Sequence, residues 1–319
     1  MALKQRKLCY HLWENFSGCR FYSSRVDWDK LRPMILERIK RRAKDYPVRA
    51  MIPVANDVVN ARALLIEGVS SLIKFIPVKA CKFCPELFIS ENGHLIRTCH
   101  GFRRHAKNQF HTWIDGTLND ILVPVETFHL QNMFQDVITH DQRFDFERVP
   151  AVLELCYQAG ANGCLYNSSS TSEAGKNDSV VAKSLSQHEL MSVARLTMEA
   201  WERFRSGVQK LLLVYPAKVC KYCSEVHIGP SGHKARLCGV FKYEGWRGTH
   251  LWQKAKVDDL VPPKIIWRRR PQDPPVLLDK GREFYGHAPA VVELCMQAGA
   301  TIPVKYFCMM KMQGFPPPP

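Results

Sequence analysis

Residues 81–99 read CKFCPELFISENGHLIRTC, and 139 residues further on, at 220–238, the chain reads CKYCSEVHIGPSGHKARLC. A Cys, a Lys, an aromatic, a second Cys, a Gly-His pair, an Arg and a last Cys all fall in register. The same offset joins His111 to His250 and Trp113 to Trp252, and it continues without a gap to PAVLELCYQAGA from Pro150 and PAVVELCMQAGA from Pro289. Backwards it reaches IPVKAC against YPAKVC, and Gly68-Val69 against Gly207-Val208. Solenoid repeats run to roughly 20–50 residues. A period this long marks instead a duplicated domain, copy 1 over residues 50–161 and copy 2 over residues 189–300.

Each copy predicts three parts. An apolar-periodic stretch, Val58 to Phe75 and Leu196 to Val214, reads as a helix ended by Pro77 and Pro216. The Cys/His stretch follows, with short β-like pieces and turns at Gly93 and Gly232. A further helix opens at Pro150 or Pro289, where proline suits the first turn, and stops at Gly160 or Gly299. Cys156 and Cys295 lie inside it among apolar neighbours and read as buried thiols.

The flanks differ in kind. Residues 162–188 contain NSSSTSEAGKNDS, poor in apolar side chains, and read as a flexible linker. Residues 301–319, ending in PPPP, read as a C-terminal tail. Residues 23–49 mix apolar periodicity with Arg38, Lys40, Arg41, Arg42 and Lys44 and predict a basic helical segment. Residues 1–22 set Lys4, Arg6, Lys7 and Arg20 against one acid, Glu14, the composition of an organellar transit peptide. The run RFYSS from Arg20 resembles a plant mitochondrial processing site, which places the mature start near Ser23 and ranks mitochondrion ahead of chloroplast.

A net charge of +15 favours a polyanionic partner, nucleic acid or an anionic membrane surface. No apolar run approaches the roughly 18 residues a membrane span requires. Twelve cysteines without an apolar signal-peptide core over residues 1–25 point away from a secreted disulfide framework and toward metal.

Zinc takes four thiolate or imidazole donors in a tetrahedron, and a Cys-x-x-Cys turn supplies two from one tight bend. Cys81, Cys84 and Cys99 give three donors in copy 1, and Cys220, Cys223 and Cys238 give three in copy 2. The fourth is His94 or His111, and His233 or His250 in copy 2. The order Cys-x2-Cys-x9-His-x4-Cys, which resembles a retroviral zinc knuckle with a longer central gap, ranks His94 and His233 first. Two structural Zn2+ ions are the expected cofactors. A full coordination set leaves no open position for hydrolysis. His100 and His105 face Gly239 and Glu244 in the other copy, so no catalytic base is repeated and no enzyme is expected. The expected fold class is α+β, mainly helical: a tandem duplicated domain, each copy a small zinc-stabilised β-rich module flanked by helices.

Single-stranded or looped RNA is held by stacking on aromatic rings and by basic side chains at the phosphates. Phe83 and Tyr222 sit inside the Cys-x-x-Cys turns, and Trp113 and Trp252 offer further rings. Lys82, Arg97, Arg103, Lys221, Arg236 and Lys242 stand by to meet phosphates. The competing reading makes the rings the mini-core that so small a module needs.

The stretches DYPVRAMIPVA, CKFC…GHLIRTC…HTW, CKYC…GHKARLC…HLW and PAVVELCMQAGA together resemble the plant APO family, named for accumulation of photosystem one. The likeness covers nearly the whole chain after the transit peptide, both copies included. It implies an organellar RNA-binding protein with zinc in each motif that promotes RNA maturation, above all splicing of group II introns. The family has plastid and mitochondrial members, and RFYSS favours a mitochondrial one. The expected partners are intron RNA, single-stranded or structured, and other organellar splicing factors, with no membrane span. The alternative is a zinc-stabilised protein-interaction scaffold in an organellar ribonucleoprotein complex.

Overall fold

In chain order copy 1 runs α1 (Ile52–Leu72), β1 (Val78–Cys81), β2 (Leu87–Ile89), β3 (Trp113–Asp115), α2 (Leu118–Ile121), β4 (Glu126–Phe128), β5 (Arg148–Pro150) and α3 (Ala151–Gln158). Copy 2 repeats the order as α4 (Gln187–Val214), β6 (Ala217–Cys220), β7 (Val226–Ile228), β8 (Trp252–Lys254), α5 (Val257–Leu260), β9 (Ile265–Arg268), β10 (Gly286–Pro289) and α6 (Ala290–Gln297), and α7 (Phe307–Met310) follows. This computed structural model describes residues 43–101, 109–161, 185–239 and 248–317, with scattered helical positions between 33 and 41. The transit-peptide reading, most of the linker, and Arg103 and Lys242 lie outside the described residues. The described residues from Tyr46 onward form one compact unit.

Helix and strand are mixed, the strands gathered in small antiparallel sheets. β1 is the middle strand between β2 and β3, and β6 is the middle strand between β7 and β8. β4 pairs with β5, and β9 with β10.

The long helices differ from expectation at their ends. Pro53 in the first turn starts α1 ahead of the apolar stripe. α4 begins nine residues before Leu196, because Ser186 and Glu189 cap each other's backbone N–H groups. The final helix of each copy stops where expected: Gly160 (φ +84°) and Gly299 (φ +91°) hold the left-handed conformation that glycine adopts without strain. Cys156 and Cys295 are buried thiols.

The core is built on α1 against α4. Ala55, Val58, Ala61, Leu65, Gly68, Val69 and Leu72 form the buried stripe of α1. Each has its counterpart one offset later in the buried stripe of α4: Ala194, Thr197, Ala200, Phe204, Gly207, Val208 and Leu211. The crossing is close at two matched points. A Cβ on Gly68 would lie 2.0 Å from Thr197 Oγ1, and one on Gly207 would lie 2.3 Å from Val58 Cγ2. Residues 68 and 207 correspond, as do 58 and 197, so the two copies meet about a pseudo-twofold axis through this seam.

The same axis exchanges the outer layers. Three strands of three or four residues cannot bury both faces of a sheet unaided, and each small sheet finds its cover in the other copy. β9 and α6 lie against β2, while β4 and α3 lie against β7. Phe88 and Ile96 of copy 1 share a cluster with Leu277 and Tyr285 of copy 2, flanked by Trp113 and Trp267. Leu95 N–H donates to Leu277 O (2.8 Å), and Gln297 Nε2 donates to Ile89 O (3.0 Å). Reciprocally, Thr127 Oγ1 donates to Val226 O (2.9 Å), Lys234 N–H to Ile138 O (2.8 Å), and the Phe128 ring meets His233 edge-on at 5.0 Å.

Candidate metal centres

β1 ends at Cys81, and the chain bends through Cys84 and returns as β2, closed by Cys81 N–H donating to Glu86 O (2.8 Å). Cys99 is held by its own N–H on Gln109 O (3.2 Å), and Lys82 N–H on Thr112 O (2.9 Å) ties the segment after His111 to the turn. The Sγ atoms of Cys81, Cys84 and Cys99 and a ring nitrogen of His111 all lie within 4.8 Å of one another. Copy 2 assembles Cys220, Cys223, Cys238 and His250 in the same way.

Bond lengths of about 2.3 Å to sulfur and 2.0–2.1 Å to nitrogen make the edges of a zinc tetrahedron about 3.8 Å (S to S) and about 3.5 Å (S to N). Cys81 Sγ and Cys99 Sγ are 3.8 Å apart, Cys84 Sγ and His111 Nδ1 3.4 Å, and Cys223 Sγ and His250 Nδ1 3.2 Å. The residues therefore fit the ion. Phe83 N–H points at Cys81 Sγ (3.5 Å) and Gly101 N–H at Cys99 Sγ (3.4 Å), interactions that favour thiolate. Burial opposes ionisation of Cys81, but backbone donors at Phe83 and Cys84 outweigh it and its thiol is lowered. Burial and the neighbouring Cys81 push Cys84 up to about 12. Burial drives His111 down to about 4 against the pull of Glu86, which leaves the neutral imidazole a metal requires.

His94 and His233, ranked first on spacing, are not in these four-donor groups. His94 is buried with Nδ1 accepting Ile96 N–H (3.2 Å), which sends Nε2 toward Glu86 Oε1 at 3.5 Å. Its ring packs edge-on to His111 (4.9 Å) and Trp113 (4.9 Å). His233 likewise approaches Glu225 (3.6 Å) and packs on His250 and Trp252. The structure thus gathers His111 and His250, rather than His94 and His233, with the three thiols, since the segment leading into β3 or β8 returns beside β1 or β6 and brings Nδ1 to them. The earlier histidines and their carboxylates pack beside the ligand candidates, and in copy 1 the second ring nitrogen of His111, Nε2, lies 3.0 Å from Thr98 Oγ1, a contact that orients the imidazole. Glu86 and Glu225 were not singled out from the sequence. Their signal was present, since CKFCPE and CKYCSE keep the acid in both copies. Burial opposes ionisation of Glu225, yet His233 and Arg148, the latter at 2.5 Å, hold it down at about 2.

Gly93 and Gly232 serve close packing rather than a turn. A Cβ at Gly93 would lie 2.0 Å from the Trp113 ring, and one at Gly232 would lie 2.3 Å from Trp252. The indoles also donate to His94 O (3.3 Å) and His233 O (3.1 Å) and lean on His111 and His250 at 4.8 Å. Trp113 and Trp252 are thus half-buried and packed on these sides. The other basic and aromatic positions sit at the rim. Lys82 lies over Phe83 and Lys221 over the exposed Tyr222. Arg97 covers Phe110 at 4.5 Å, and Arg236 is exposed.

A profile described as APO RNA-binding matches twice, over residues 23–174 and 171–313. APO protein 2, chloroplastic, of Arabidopsis thaliana is 36% identical over 330 aligned positions, covering 90% of this chain and 75% of that protein. APO protein 1, chloroplastic, of the same plant is 36% identical over 297 positions, 82% of this chain and 68% of its own length. APO protein 3, mitochondrial, also from Arabidopsis thaliana, is 34% identical over 294 positions, 83% and 73% respectively. No solved structure matches.

Proposed function

The chain belongs to the APO RNA-binding family, and on that premise we propose that it is an organellar RNA-binding protein with two structural zinc ions that promotes RNA maturation. Its specific task in this reading is splicing of group II introns in mitochondria. The observation that carries the proposal is the pair of matched four-donor clusters with basic and aromatic side chains at their rims. Organellar placement draws support from relatives named chloroplastic and mitochondrial. Their similarities are nearly equal, so the mitochondrial choice stands on RFYSS at 20–24, within the stretch read as the transit peptide.

The proposed ligands are Cys81, Cys84, Cys99 and His111, and Cys220, Cys223, Cys238 and His250. Bound zinc would join the Cys-x-x-Cys turn, the Cys99 bridge and the segment leading into β3, reinforcing the backbone hydrogen bonds that already link the turn to that segment. Four protein donors close the site, which suits structure rather than hydrolysis. RNA binding is assigned to Lys82, Phe83, Arg97, Lys221, Tyr222 and Arg236, while Trp113 and Trp252 hold the histidines in place. The copies 50–161 and 189–300 are the domains of this reading, each closed by the other.

Elemental analysis of purified protein should find about two zinc ions per chain. His111→Ala should lose one, whereas His94→Ala should retain two at neutral pH with a lower affinity for one of them, on the order of 10–100-fold. The reverse pattern would return the ligand role to His94. Crosslinking and sequencing of RNA bound in isolated organelles should recover intron sequence. Zinc-loaded protein that binds no RNA at low salt, yet co-purifies with nuclease-resistant partners, would establish the scaffold reading instead.

A further inference from the structure

Resting on the RNA-binding reading, we propose that the Lys218–Lys254 pair on the metal-bearing face of the copy 2 sheet grips the RNA phosphate backbone and that the ion-paired Lys79–Asp115 positions of copy 1 do not. Side chains alternate along a strand, so residues two apart share a face. Lys218 lies on the Cys220 side of β6, and Lys254 on the Trp252 side of β8. The register sets Lys218 directly opposite Lys254 and Cys220 opposite Trp252, so all four point the same way. The same positions in copy 1 hold Lys79 and Asp115, joined by an ion pair of 2.6 Å.

Like charges directly across a sheet destabilise it. A carboxylate at 254 would remove that cost, as Asp115 does in copy 1, yet the chain carries lysine there. Among the described residues no acid compensates: Asp258 is taken by Arg205 and Asp259 by the Lys256 N–H. The neighbourhood follows the same trend. Where copy 1 has Lys79, Lys82, Asp115 and Thr117, copy 2 has Lys218, Lys221, Lys254 and Lys256. Lys254 and Lys256 are exposed, Lys218 is half-buried, and the exposed Tyr222 ring stands in the adjoining turn. Paired, unneutralised ammonium groups beside a solvent-exposed aromatic residue match a phosphodiester and its base.

The test compares wild type, Lys254→Asp, Asp115→Lys and, as a control for net charge alone, Lys210→Asp on the exposed side of α4. Each full-length, zinc-loaded protein is titrated against a fluorescent single-stranded RNA of about 20 nucleotides at several salt concentrations, and its unfolding midpoint is measured. Lys254→Asp should weaken binding about tenfold or more at low salt and flatten the log–log salt slope by about 0.7 for each phosphate that the protein no longer neutralises. It should leave the unfolding midpoint equal or raised, since it recreates the copy 1 pair. Asp115→Lys should strengthen binding, and Lys210→Asp should change it much less than Lys254→Asp. Wild-type affinity and slope in Lys254→Asp, or losses equal to those of Lys210→Asp, would overturn the proposal while RNA binding stands. Wild-type protein that binds no RNA would remove the RNA-binding reading itself.

Discussion

Gly68→Ala puts the pseudo-twofold seam to a direct test, because two opposing terms act on one methyl group. In an unobstructed helix interior the change stabilises by about 1 kcal/mol, the usual advantage of alanine over glycine. Here the new Cβ would meet three atoms of Thr197: Oγ1 at 2.0 Å, Cβ at 3.0 Å and Cγ2 at 3.1 Å. Rotating the threonine gives no escape. Its Cβ stays where it is, and its hydroxyl would leave Val193 O, to which it donates at 2.7 Å. The helices must move apart along a stripe that is buried end to end, and overpacking of this kind costs about 1–3 kcal/mol. Taking the upper half of that range, since no rotamer relieves the clash, the net should be a loss of about 1–2 kcal/mol. Guanidinium unfolding followed by circular dichroism, compared at equal m, reads the difference. Thr197→Gly removes all three atoms, so in the double variant the two changes should couple favourably by about 2 kcal/mol. A stabilised Gly68→Ala, or a double variant that is merely additive, would show that the helices do not meet as closely as the seam requires.

Two further perturbations address the exchange and the interior. Residues 43–161 and 185–317 produced separately should each fail to unfold cooperatively, since Phe88 and Ile96 lose Leu277 and Tyr285; mixing the halves should give a one-to-one complex by light scattering, and a cooperative monomeric half would defeat the expectation. Glu293→Ala strands the Arg268 guanidinium, 3.1 Å from the carboxylate and 5% exposed, and should cost about 3–5 kcal/mol by denaturant unfolding, most of it restored by adding Arg268→Met; a loss under about 1 kcal/mol would mean that the pair carries little of the fold.

The sequence by itself determined the duplication, the glycine stops at Gly160 and Gly299, the buried thiols Cys156 and Cys295 and the three cysteines of each cluster. These follow from local rules: helical period, left-handed backbone, and the short reach of a Cys-x-x-Cys bend. The choice between His94 and His111 was beyond such rules. It depends on which ring the returning strand β3 delivers to the thiols, and spacing along a chain does not fix the direction of an imidazole. Gly93 was legible as a special position but not for the right cause, because the indole that excludes a Cβ there comes from twenty residues away. Tertiary structure alone decided the exchange of cover between the copies. Two nearly matched copies present the same apolar faces, so β2 could in principle be covered by the hairpin of either one. Period and composition are identical for both pairings. What separates them is the close crossing of α1 and α4 at Gly68 and Gly207, which sets the copies about a pseudo-twofold axis and brings β9 and α6 of copy 2, rather than the corresponding elements of copy 1, over the copy 1 sheet.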